Sequence, residues 1–407
     1  MKHQEGTRRL AILTSHPIQY NAPLFRELAD RDGLDVRVFY CWEGTANAFD
    51  HEFNRPVTLD IPLLEGYDWE MVPNVARDPG THHFGGLHNP GMNARIAAFA
   101  PDALLVFGWA WRTNLAALRH FHGRIPILFR GDSTLGSTHH ARWKAWLRRM
   151  VLTWVYRHVD LALSPGQENR KYLKTMGFPV ERMRYMPHSI DVRRFSASDP
   201  EAASGRLELR QELGIGTEAL VFLFAGKFVP RKQVHVLITA FQQLLADLPD
   251  ADLHLVLVGD GPDEPSLRKQ AGDTRGVHFA GFMNQSQMPN AYRMSDIYVL
   301  PSVRDTWGLG LNEAMAAGCA TIASDRVGAA PDLVAGKPYG RVFQCGNAGA
   351  LCARMRELVE ILDDLPDLRR QAAAASEEWS IEAAADAVME ILQQPTIDHA
   401  PGNSGNA

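Results

Sequence analysis

Short apolar runs alternate with longer segments of helical period along the whole chain, and this alternation limits the possible folds most strongly. Examples of such runs are LLVF at 104–107 and LVFLFA at 220–225. Runs that are apolar at nearly every position are typical of parallel strands covered by helices on both faces. The pattern predicts strands near 10–15, 36–40, 104–107, 126–130, 161–164, 184–187, 220–225, 253–258, 277–280, 297–300 and 319–323.

The length of 407 residues predicts more than one domain, because a single hydrophobic core stops growing well below this size. Ser, Pro, Ala and Gly accumulate in FSASDPEAASG at 195–205, which marks a boundary. We expect an α/β protein of two doubly wound, Rossmann-like domains facing across a cleft. The expected division is an N-terminal domain at 1–198, a C-terminal domain at 199–378, a helix at 380–394 packing back toward the N-terminal domain, and a disordered tail at 395–407.

The net charge of −5 is unevenly distributed along the chain. Residues 1–198 carry +6, and residues 199–407 carry −11. A basic half is expected to face an anionic membrane surface or an anionic acceptor. Nucleic acid is not an expected partner, because no basic stripe with interleaved aromatics is present. Apolar runs end far short of the about 20 residues of a membrane-spanning helix, and the N-terminus lacks a signal-peptide pattern. We therefore expect a cytoplasmic protein.

The segment IYVLPSVRDTWGLGLNEAMAAGCATIAS at 297–324 carries the strongest chemical signal. A buried strand leads into a loop with Asp305, then a tight turn with Gly308 and Gly310, then a helix with Glu313. Free amides and a helix N-terminus favour an anion, and carboxylates accept hydrogen bonds from hydroxyl-rich ligands. An equally weighted interpretation is a structural turn whose glycines only pack and whose Glu313 caps the helix.

A second signal lies in LVFLFAGKFVPRKQVHVLITAF at 220–241. Gly226 closes a strand, Lys227 stands at its carboxyl end, and Lys232 precedes the next helix. Two ammonium groups there would neutralise a diphosphate without a metal. For any single cation, a solvated surface position is the more common outcome.

Two nucleotide-binding fingerprints are missing. The turn GDGPDE at 259–264 follows a buried strand but has Glu at the last position of GxGxxG, and no GxxxxGK[ST] loop occurs. A nicotinamide enzyme and a P-loop kinase therefore lose most of their support.

Several motifs in one order resemble the donor-binding half of family 4 glycosyltransferases, the group 1 glycosyl transferases with the GT-B fold. They are AGKFVPRKQ, LVLVGDGP, VHFAGFM, SDIYVLPS, DTWGLGLNEAMAAG and VGAAPDLV, and PHSIDVRRF at 187–195 extends the resemblance to the domain junction. The resemblance implies a retaining, metal-independent transfer of a sugar from a nucleoside diphosphate sugar to a hydroxyl acceptor. No cofactor besides this donor is implied, and the acceptor would be a saccharide or a lipid-linked molecule of cell-envelope or extracellular polysaccharide or glycolipid synthesis.

The resemblance assigns roles by position. Lys227 and Lys232 match the basic pair that neutralises the leaving diphosphate, and Glu313 matches the carboxylate that holds the ribose. Asp305 stands where Glu is usual, at the position that orients the donor sugar, and is one methylene shorter. The remaining donor-binding positions are Gly226, Phe282 beside the base, and Gly308, Leu309 and Gly310, whose amides approach the phosphate and the sugar.

Two residues of the N-terminal half are candidates for the acceptor side. Asp132 stands where many relatives carry a histidine, and it either accepts from a sugar or acceptor hydroxyl or pairs structurally with Arg130. His16 follows the first strand, where an imidazole could bind or deprotonate an acceptor hydroxyl. For His16, a purely structural hydrogen-bonding role is favoured slightly.

Histidines are concentrated in the loop PGTHHFGGLHNPGMN at 79–93, which contains His82, His83 and His88. We interpret it as a mobile acceptor loop, because a zinc site would need a fourth ligand that the sequence does not place. The acidic pairs Asp30/Asp32 and Asp250/Asp252 precede strands, away from the expected ligand edge. No metal site is therefore expected.

Aromatic residues mark a helix at 139–159, where Trp143, Trp146, Leu147, Met150 and Trp154 share one face. The favoured interpretation places this face in the core of the N-terminal domain. The alternative is a helix lying on an anionic bilayer, which would make the protein peripheral at the inner membrane face.

Three rival functions remain at this point. The chain could bind nucleotide sugars without catalysis, because the usual histidine is missing. It could epimerise or phosphorolyse a sugar on the same architecture. A nucleic-acid-binding protein is disfavoured by the motif series.

Overall fold

The computed structural model describes residues 7–44, 49–50, 55–56, 58–137, 142–196 and 202–394. The strands in chain order are Arg8–Thr14 (β1), Leu34–Tyr40 (β2), Phe49–Asp50 (β3), Arg55–Pro56 (β4), Asp68–Met71 (β5), Ala103–Phe107 (β6), Ile127–Arg130 (β7), Leu161–Ser164 (β8), Met183–Tyr185 (β9), Leu220–Ala225 (β10), Leu253–Val258 (β11), Val277–Gly281 (β12), Ile297–Leu300 (β13), Ala320–Ser324 (β14) and Gly340–Phe343 (β15).

The α-helices follow in the same order. They are Ala22–Ala29 (α1), Met92–Phe99 (α2), Arg112–Phe121 (α3), Arg142–Tyr156 (α4), Gln167–Thr175 (α5), Val192–Phe195 (α6), Ala202–Glu212 (α7), Val234–Asp247 (α8), Glu264–Ala271 (α9), Met288–Arg293 (α10), Gly310–Ala316 (α11), Ala348–Glu360 (α12), Leu365–Ser376 (α13) and Ile381–Gln393 (α14). Within these described residues, no helix is both long enough and apolar enough to cross a membrane.

The chain divides into two compact units. Unit 1 comprises residues 1–44, 62–189 and 381–407, and unit 2 comprises residues 45–61 and 190–380. The expected boundary at 198/199 and the expected disordered tail at 395–407 lie outside the described residues.

Unit 1 is built on a parallel sheet with the strand order β5-β2-β1-β6-β7-β8-β9. Successive residues of β1 point to opposite faces of this sheet. Leu10 and Ile12 pack with α1 and α14, whereas Ala11 and Leu13 pack with α2 and α3. Because both faces are covered, an inner strand of this sheet is apolar at nearly every position.

The C-terminal helix α14 completes one face of unit 1. Ala384, Ala385 and Val388 are buried in the core that α14 shares with α1. The Arg31 guanidinium lies 2.8 Å from Asp386 of α14 and 3.0 Å from Glu27 of α1. Residues near both ends of the chain therefore build one layer of the same unit.

Unit 2 is built on a parallel sheet with the strand order β12-β11-β10-β13-β14-β15. The segment at 58–60 also belongs to this unit, although the sequence-based division assigns it to the first domain. Its contacts reach the loop after β12, since Asn284 donates to the carbonyl of Thr58 (2.8 Å) and the amide of Ser286 donates to Asp60 (3.0 Å). Together with the sheet of unit 1, this sheet confirms the expected doubly wound α/β architecture.

The eleven predicted strands are all present, with ends shifted by up to two residues. The short strands β3, β4, β5 and β15 are not predicted from the sequence. β5 (DWEM) and β15 (GRVF) are sheet-edge strands with polar, partly exposed residues. Edge strands lack the continuous apolar signal on which the prediction depends.

The prediction that the aromatic face of α4 lies in a core is wrong. Trp143 and Trp146 are each 64% exposed, and Leu147, Met150 and Trp154 are exposed as well. The core takes a different face of the helix, formed by Leu152, Val155 and Tyr156. Periodicity identifies an apolar face but does not show whether the domain covers it.

Candidate active site

Unit 2 has a reversal of strand order at the adjacent strands β10 and β13. From this pair, β11 and β12 extend to one side and β14 and β15 extend to the other. Doubly wound sheets bind ligands beyond the carboxyl ends of the strands at such a point. The loop at 226–233 follows β10 and the loop at 301–309 follows β13, and the Val303 amide donates to the Arg231 carbonyl (2.9 Å). The two chemical segments of the sequence therefore lie side by side at the expected ligand edge.

Lys232 and Asp305 form an ion pair at this edge, with 2.6 Å between Nζ and Oδ2. Their side chains are only 16% and 19% exposed. The Asp305 carbonyl accepts from the Gly328 amide (3.0 Å), which fixes the backbone of the loop. The residue predicted to hold the diphosphate and the residue predicted to orient the sugar thus contact each other.

Lys227 and Gly226 belong to the same loop. The Gly226 amide donates to the Val258 carbonyl (2.9 Å), which extends the β10–β11 pairing by one residue. Lys227 follows directly at the carboxyl end of β10 and is half-buried. Phe282 follows β12, two strands from β10, which corresponds to about 10 Å across the sheet.

The turn at 308–310 depends on two glycines. Gly308 has a φ of +102°, which disfavours a side chain. A Cβ atom on Gly310 would lie 2.3 Å from the Tyr298 hydroxyl, so the backbone approaches this ring closely. Helix α11 begins at Gly310, after Leu309, and has seven residues. Its dipole is therefore that of about two turns.

Glu313 lies on α11 and is 5% exposed. Its Oε2 accepts a hydrogen bond from the Tyr292 hydroxyl (2.6 Å). Tyr292 also contacts Tyr298 edge to face, with 5.5 Å between ring centroids. The hydrogen bond from Tyr292 orients the Glu313 carboxylate. The sequence gives no signal for Tyr292, because nothing in YRMSD distinguishes it from a core tyrosine.

In unit 1, His16 follows β1 after one intervening residue, and β1 lies at the reversal of strand order between β2 and β6. Its Nδ1 lies 3.0 Å from the Ser15 hydroxyl, and its ring contacts Trp42 edge to face. Burial lowers the pKa of His16 below the usual 6.5. The imidazole is therefore neutral at pH 7 and can accept a proton.

Asp132 follows β7 and is half-exposed. Its carboxylate lies 3.6 Å from Nε of Arg130 and 3.8 Å from Nε2 of His188. Arg130 is buried, donates to the carbonyls of Met186 and Pro187, and has a pKa lowered by burial. His188 was missed as a partner, although it stands at the start of the PHSIDVRRF motif. The structure thus supports an Arg130–Asp132 contact while leaving the carboxylate accessible.

A cavity of about 120 Å³ opens beside Asp132 in unit 1. Trp109 and Trp111, from the loop after β6, line it together with Tyr172. The Asn169 amide donates to the carbonyls of Gly131 (2.8 Å) and Ser133 (2.9 Å) and so holds the Asp132 loop in place. Aromatic walls with a carboxylate at the edge suit a ring that bears hydroxyl groups.

The histidine loop at 79–93 forms a polar cluster at the surface of unit 1. His82 and His83 place Nε2 atoms 3.1 and 3.3 Å from one Asp78 oxygen, and these histidines hold the pKa of Asp78 below its usual range. All three side chains are exposed, and His88 is not part of the cluster. A fourth protein ligand is not placed by the described residues of this cluster.

Two family models together match most of the chain. The model of the group 1 glycosyl transferases matches residues 205–379, and that of the glycosyl transferase 4-like domain matches residues 17–188. The matched ranges fall on the sheets of unit 2 and unit 1, respectively.

Curated relatives include the D-inositol 3-phosphate glycosyltransferase of Streptomyces scabiei, which is 33% identical over 96% of this chain and 92% of that enzyme. The GDP-mannose-dependent monoacylated alpha-(1-6)-phosphatidylinositol monomannoside mannosyltransferase of Corynebacterium glutamicum is 33% identical over 60% of this chain. The alignment covers 65% of the Corynebacterium enzyme's own length. For two further curated relatives, the covered shares are 45% and 54%. The chain therefore spans less than two thirds of each of these three relatives.

Among solved structures, HepE from Anabaena in complex with UDP has a TM-score of 0.71 at 19% identity. The match covers 95% of this chain and 99% of that chain, and at this identity it shows the fold alone. The full-length similarity to the Streptomyces enzyme adds the family to the fold. With both sheets, both family models and these relatives in agreement, the chain belongs to the group 1 glycosyl transferases and has the GT-B fold.

Proposed function

We propose that this protein transfers a sugar from a nucleoside diphosphate sugar to a hydroxyl group, with retention at the anomeric carbon and without a metal ion. The observation that carries the proposal is the Lys232–Asp305 pair at the strand-order reversal of unit 2. The ammonium group of Lys232 suits the diphosphate of the donor, and the carboxylate of Asp305 suits the hydroxyl groups of the donor sugar.

The diphosphate replaces Asp305 as the partner of Lys232 when the donor binds. An ammonium group with a single carboxylate partner can turn to a diphosphate, which carries more charge. Asp305 is then released to accept hydrogen bonds from sugar hydroxyls. When the bond between the anomeric carbon and the phosphate oxygen breaks, its electron pair goes to the diphosphate, and Lys227 and Lys232 stabilise that charge.

Retention requires the acceptor oxygen to enter on the face that the diphosphate leaves. The leaving phosphate oxygen is then close enough to take the proton of the acceptor hydroxyl. In unit 1, the cavity beside Asp132 and the neutral His16 offer places for the acceptor ring and its hydroxyls. The names of the curated relatives favour GDP-mannose as donor and inositol phosphates or phosphatidylinositol glycolipids as acceptors. The product would belong to envelope glycolipid or polysaccharide synthesis.

Removal of divalent ions should leave transfer unchanged. In the proposed mechanism Lys227 and Lys232 supply the positive charge that the leaving diphosphate needs, so no step depends on a divalent ion. Turnover with excess EDTA and turnover with Mg²⁺ should agree within about twofold, measured as released nucleoside diphosphate. Loss of turnover with EDTA, restored by Mg²⁺, would contradict the metal-independent mechanism.

The rate of transfer should fall on the acidic side only below pH 6.5. Protonation of His16 removes its acceptor lone pair, and because burial lowers the pKa of His16, the group stays neutral down to more acidic pH. A pH profile of kcat/KM should show this limb in the native protein and lose it in His16→Gln. An acidic limb centred above pH 6.5, or an unaltered limb in the variant, would remove His16 from the mechanism.

Screening of nucleotide sugars tests the function directly. Donors that bind the native state should raise the Tm of the purified protein, and GDP-mannose should be among them. The donors that bind are then incubated with inositol phosphates, phosphatidylinositol and saccharides, and the linkage of the product is determined by NMR. Binding without transfer across this panel would support the non-catalytic alternative, and isomerised donor sugar would support an epimerase.

A further inference from the structure

Helix α4 carries an exposed apolar surface, which we call the α4 face. Fifteen large apolar side chains are exposed among the described residues, and six of them lie on this helix: Trp143, Trp146, Leu147, Met150, Val151 and Trp154. Scattered exposed apolar residues are normal, whereas a contiguous group of this size marks an interaction surface.

The α4 face is distinct from the side of the helix that packs in unit 1. Leu152, Val155 and Tyr156 are buried and form that packing side. Leu152 lies nine positions after Trp143, about 2.5 helical turns, and therefore on the opposite side. The helix has thus already satisfied its domain core, and the α4 face needs a different partner.

Positive charge surrounds the α4 face. Residues 133–159 contain five Lys and Arg residues and no Asp or Glu. Lys144, Arg149 and Arg157 are exposed beside the aromatic residues. The Arg119 guanidinium of α3 lies 5.7 Å from the centre of the Trp154 ring and extends the basic border. A partner of this surface must offer apolar area and negative charge together.

We propose that the α4 face docks this protein on a lipid bilayer that contains anionic headgroups. Tryptophan rings prefer the boundary between headgroups and acyl chains, and arginines and lysines beside them meet the lipid phosphates. A 15-residue helix is about 22 Å long, which suits a helix lying in the plane of the interface. A second copy of the chain fits less well, because a two-fold contact would bring the same cations together.

Docking also bears on the acceptor side of unit 1. Tyr156 of α4 and Tyr172 both line the cavity next to Asp132. Arg148 of α4 donates a hydrogen bond to the Tyr172 hydroxyl (3.0 Å). A docked helix would therefore hold this cavity near the lipid surface, where a lipid-linked acceptor presents its headgroup. This consequence rests on the proposed function, whereas the docking itself does not.

Vesicle binding tests the docking without any sugar donor. The protein is sedimented with vesicles of phosphatidylcholine alone and with vesicles containing about one third phosphatidylglycerol. We expect binding to the anionic vesicles, with weaker binding at high salt. Tryptophan emission should shift to shorter wavelength and be quenched by lipids brominated on their acyl chains. Equal binding to both vesicle types, or to neither, would overturn the proposal.

Variants separate the charge of the surface from its apolar area. Lys144→Gln/Arg149→Gln/Arg157→Gln should lower partition into anionic vesicles by about 100-fold, since each cation near the surface contributes roughly a factor of five. Trp143→Ser/Trp146→Ser should lower it by at least about tenfold. The matched control Leu207→Ser/Leu362→Ser replaces exposed apolar residues of unit 2 and should stay within about twofold.

All three variants change exposed side chains and should keep the Tm of the native protein. An equal loss in the control and in the tryptophan variant would show that the α4 face is not the docking surface. Analytical ultracentrifugation tests whether a second copy of the chain binds the α4 face instead. A dimer that the tryptophan variant dissociates, together with no vesicle binding by the native protein, would assign the α4 face to a second copy of the chain.

Discussion

Lys232→Ala should slow sugar transfer by roughly 10- to 150-fold, with the loss in kcat. A charge-assisted contact to the leaving diphosphate contributes about 1.5–3 kcal/mol, and it strengthens as the bond to the sugar breaks. Initial rates of nucleoside diphosphate release over a range of donor concentrations separate kcat from KM. Arg231→Ala is the neighbouring control, and it should remain within about twofold of the native protein.

A second variant distinguishes lost catalysis from lost stability. Lys232→Ala leaves the mostly buried Asp305 carboxylate without its ammonium partner, which costs stability as well. Lys232→Ala/Asp305→Asn removes the unpaired carboxylate charge and should recover the Tm without recovering turnover. Native kcat in Lys232→Ala, or recovery of kcat in the double variant, would exclude the diphosphate role of Lys232.

Gly310→Ala should destabilise the protein by about 1–3 kcal/mol and lower its Tm by several degrees. The added Cβ would lie 2.3 Å from the Tyr298 hydroxyl and 3.0 Å from the carbon that bears it, so the ring or the start of α11 must shift. Thermal unfolding measures the effect. Because Gly310 lies in the turn proposed to approach the donor, transfer should decline as well.

Removal of the clashing oxygen should rescue part of this loss. In Gly310→Ala/Tyr298→Phe, the nearest atom is the ring carbon at 3.0 Å, so the double variant should be more stable than Gly310→Ala. Gly349→Ala is the matched control in α12, where the nearest atom to the new Cβ is 3.5 Å away. It should be neutral or slightly stabilising. If Gly310→Ala behaves like Gly349→Ala, the close approach at 310 is not a constraint in solution.

The sequence predicts that Lys232 and Asp305 lie near each other. Both residues follow strands that the apolar runs identify, and the doubly wound topology brings the ends of such strands together. Their direct pairing could not be expected, because the resemblance assigns each residue to a different part of the donor. Pairing depends on side-chain geometry, which spacing along the chain does not determine.

Other features could not be predicted from the sequence, and each has a physical reason. Tyr292 reaches Glu313 from another helix, and His188 reaches Asp132 from the far end of the β9 loop, so neither contact has a local signature. The edge strand β5 has no apolar run. The aromatic residues of α4 have the spacing of a core face but lie at the surface, since a helix can be apolar on more than one side.

The position of α14 in unit 1 has a consequence for biosynthesis. The sheet face that carries Leu10 and Ile12 receives its final cover only from residues 381–393, after the whole of unit 2 has been translated. A nascent chain leaves the ribosome N-terminus first, so this apolar layer waits without its last helix for nearly 200 residues of synthesis. Until α14 is made, α1 is the helix that covers this face, and a premature stop before residue 381 would leave the apolar layer partly exposed and prone to aggregation.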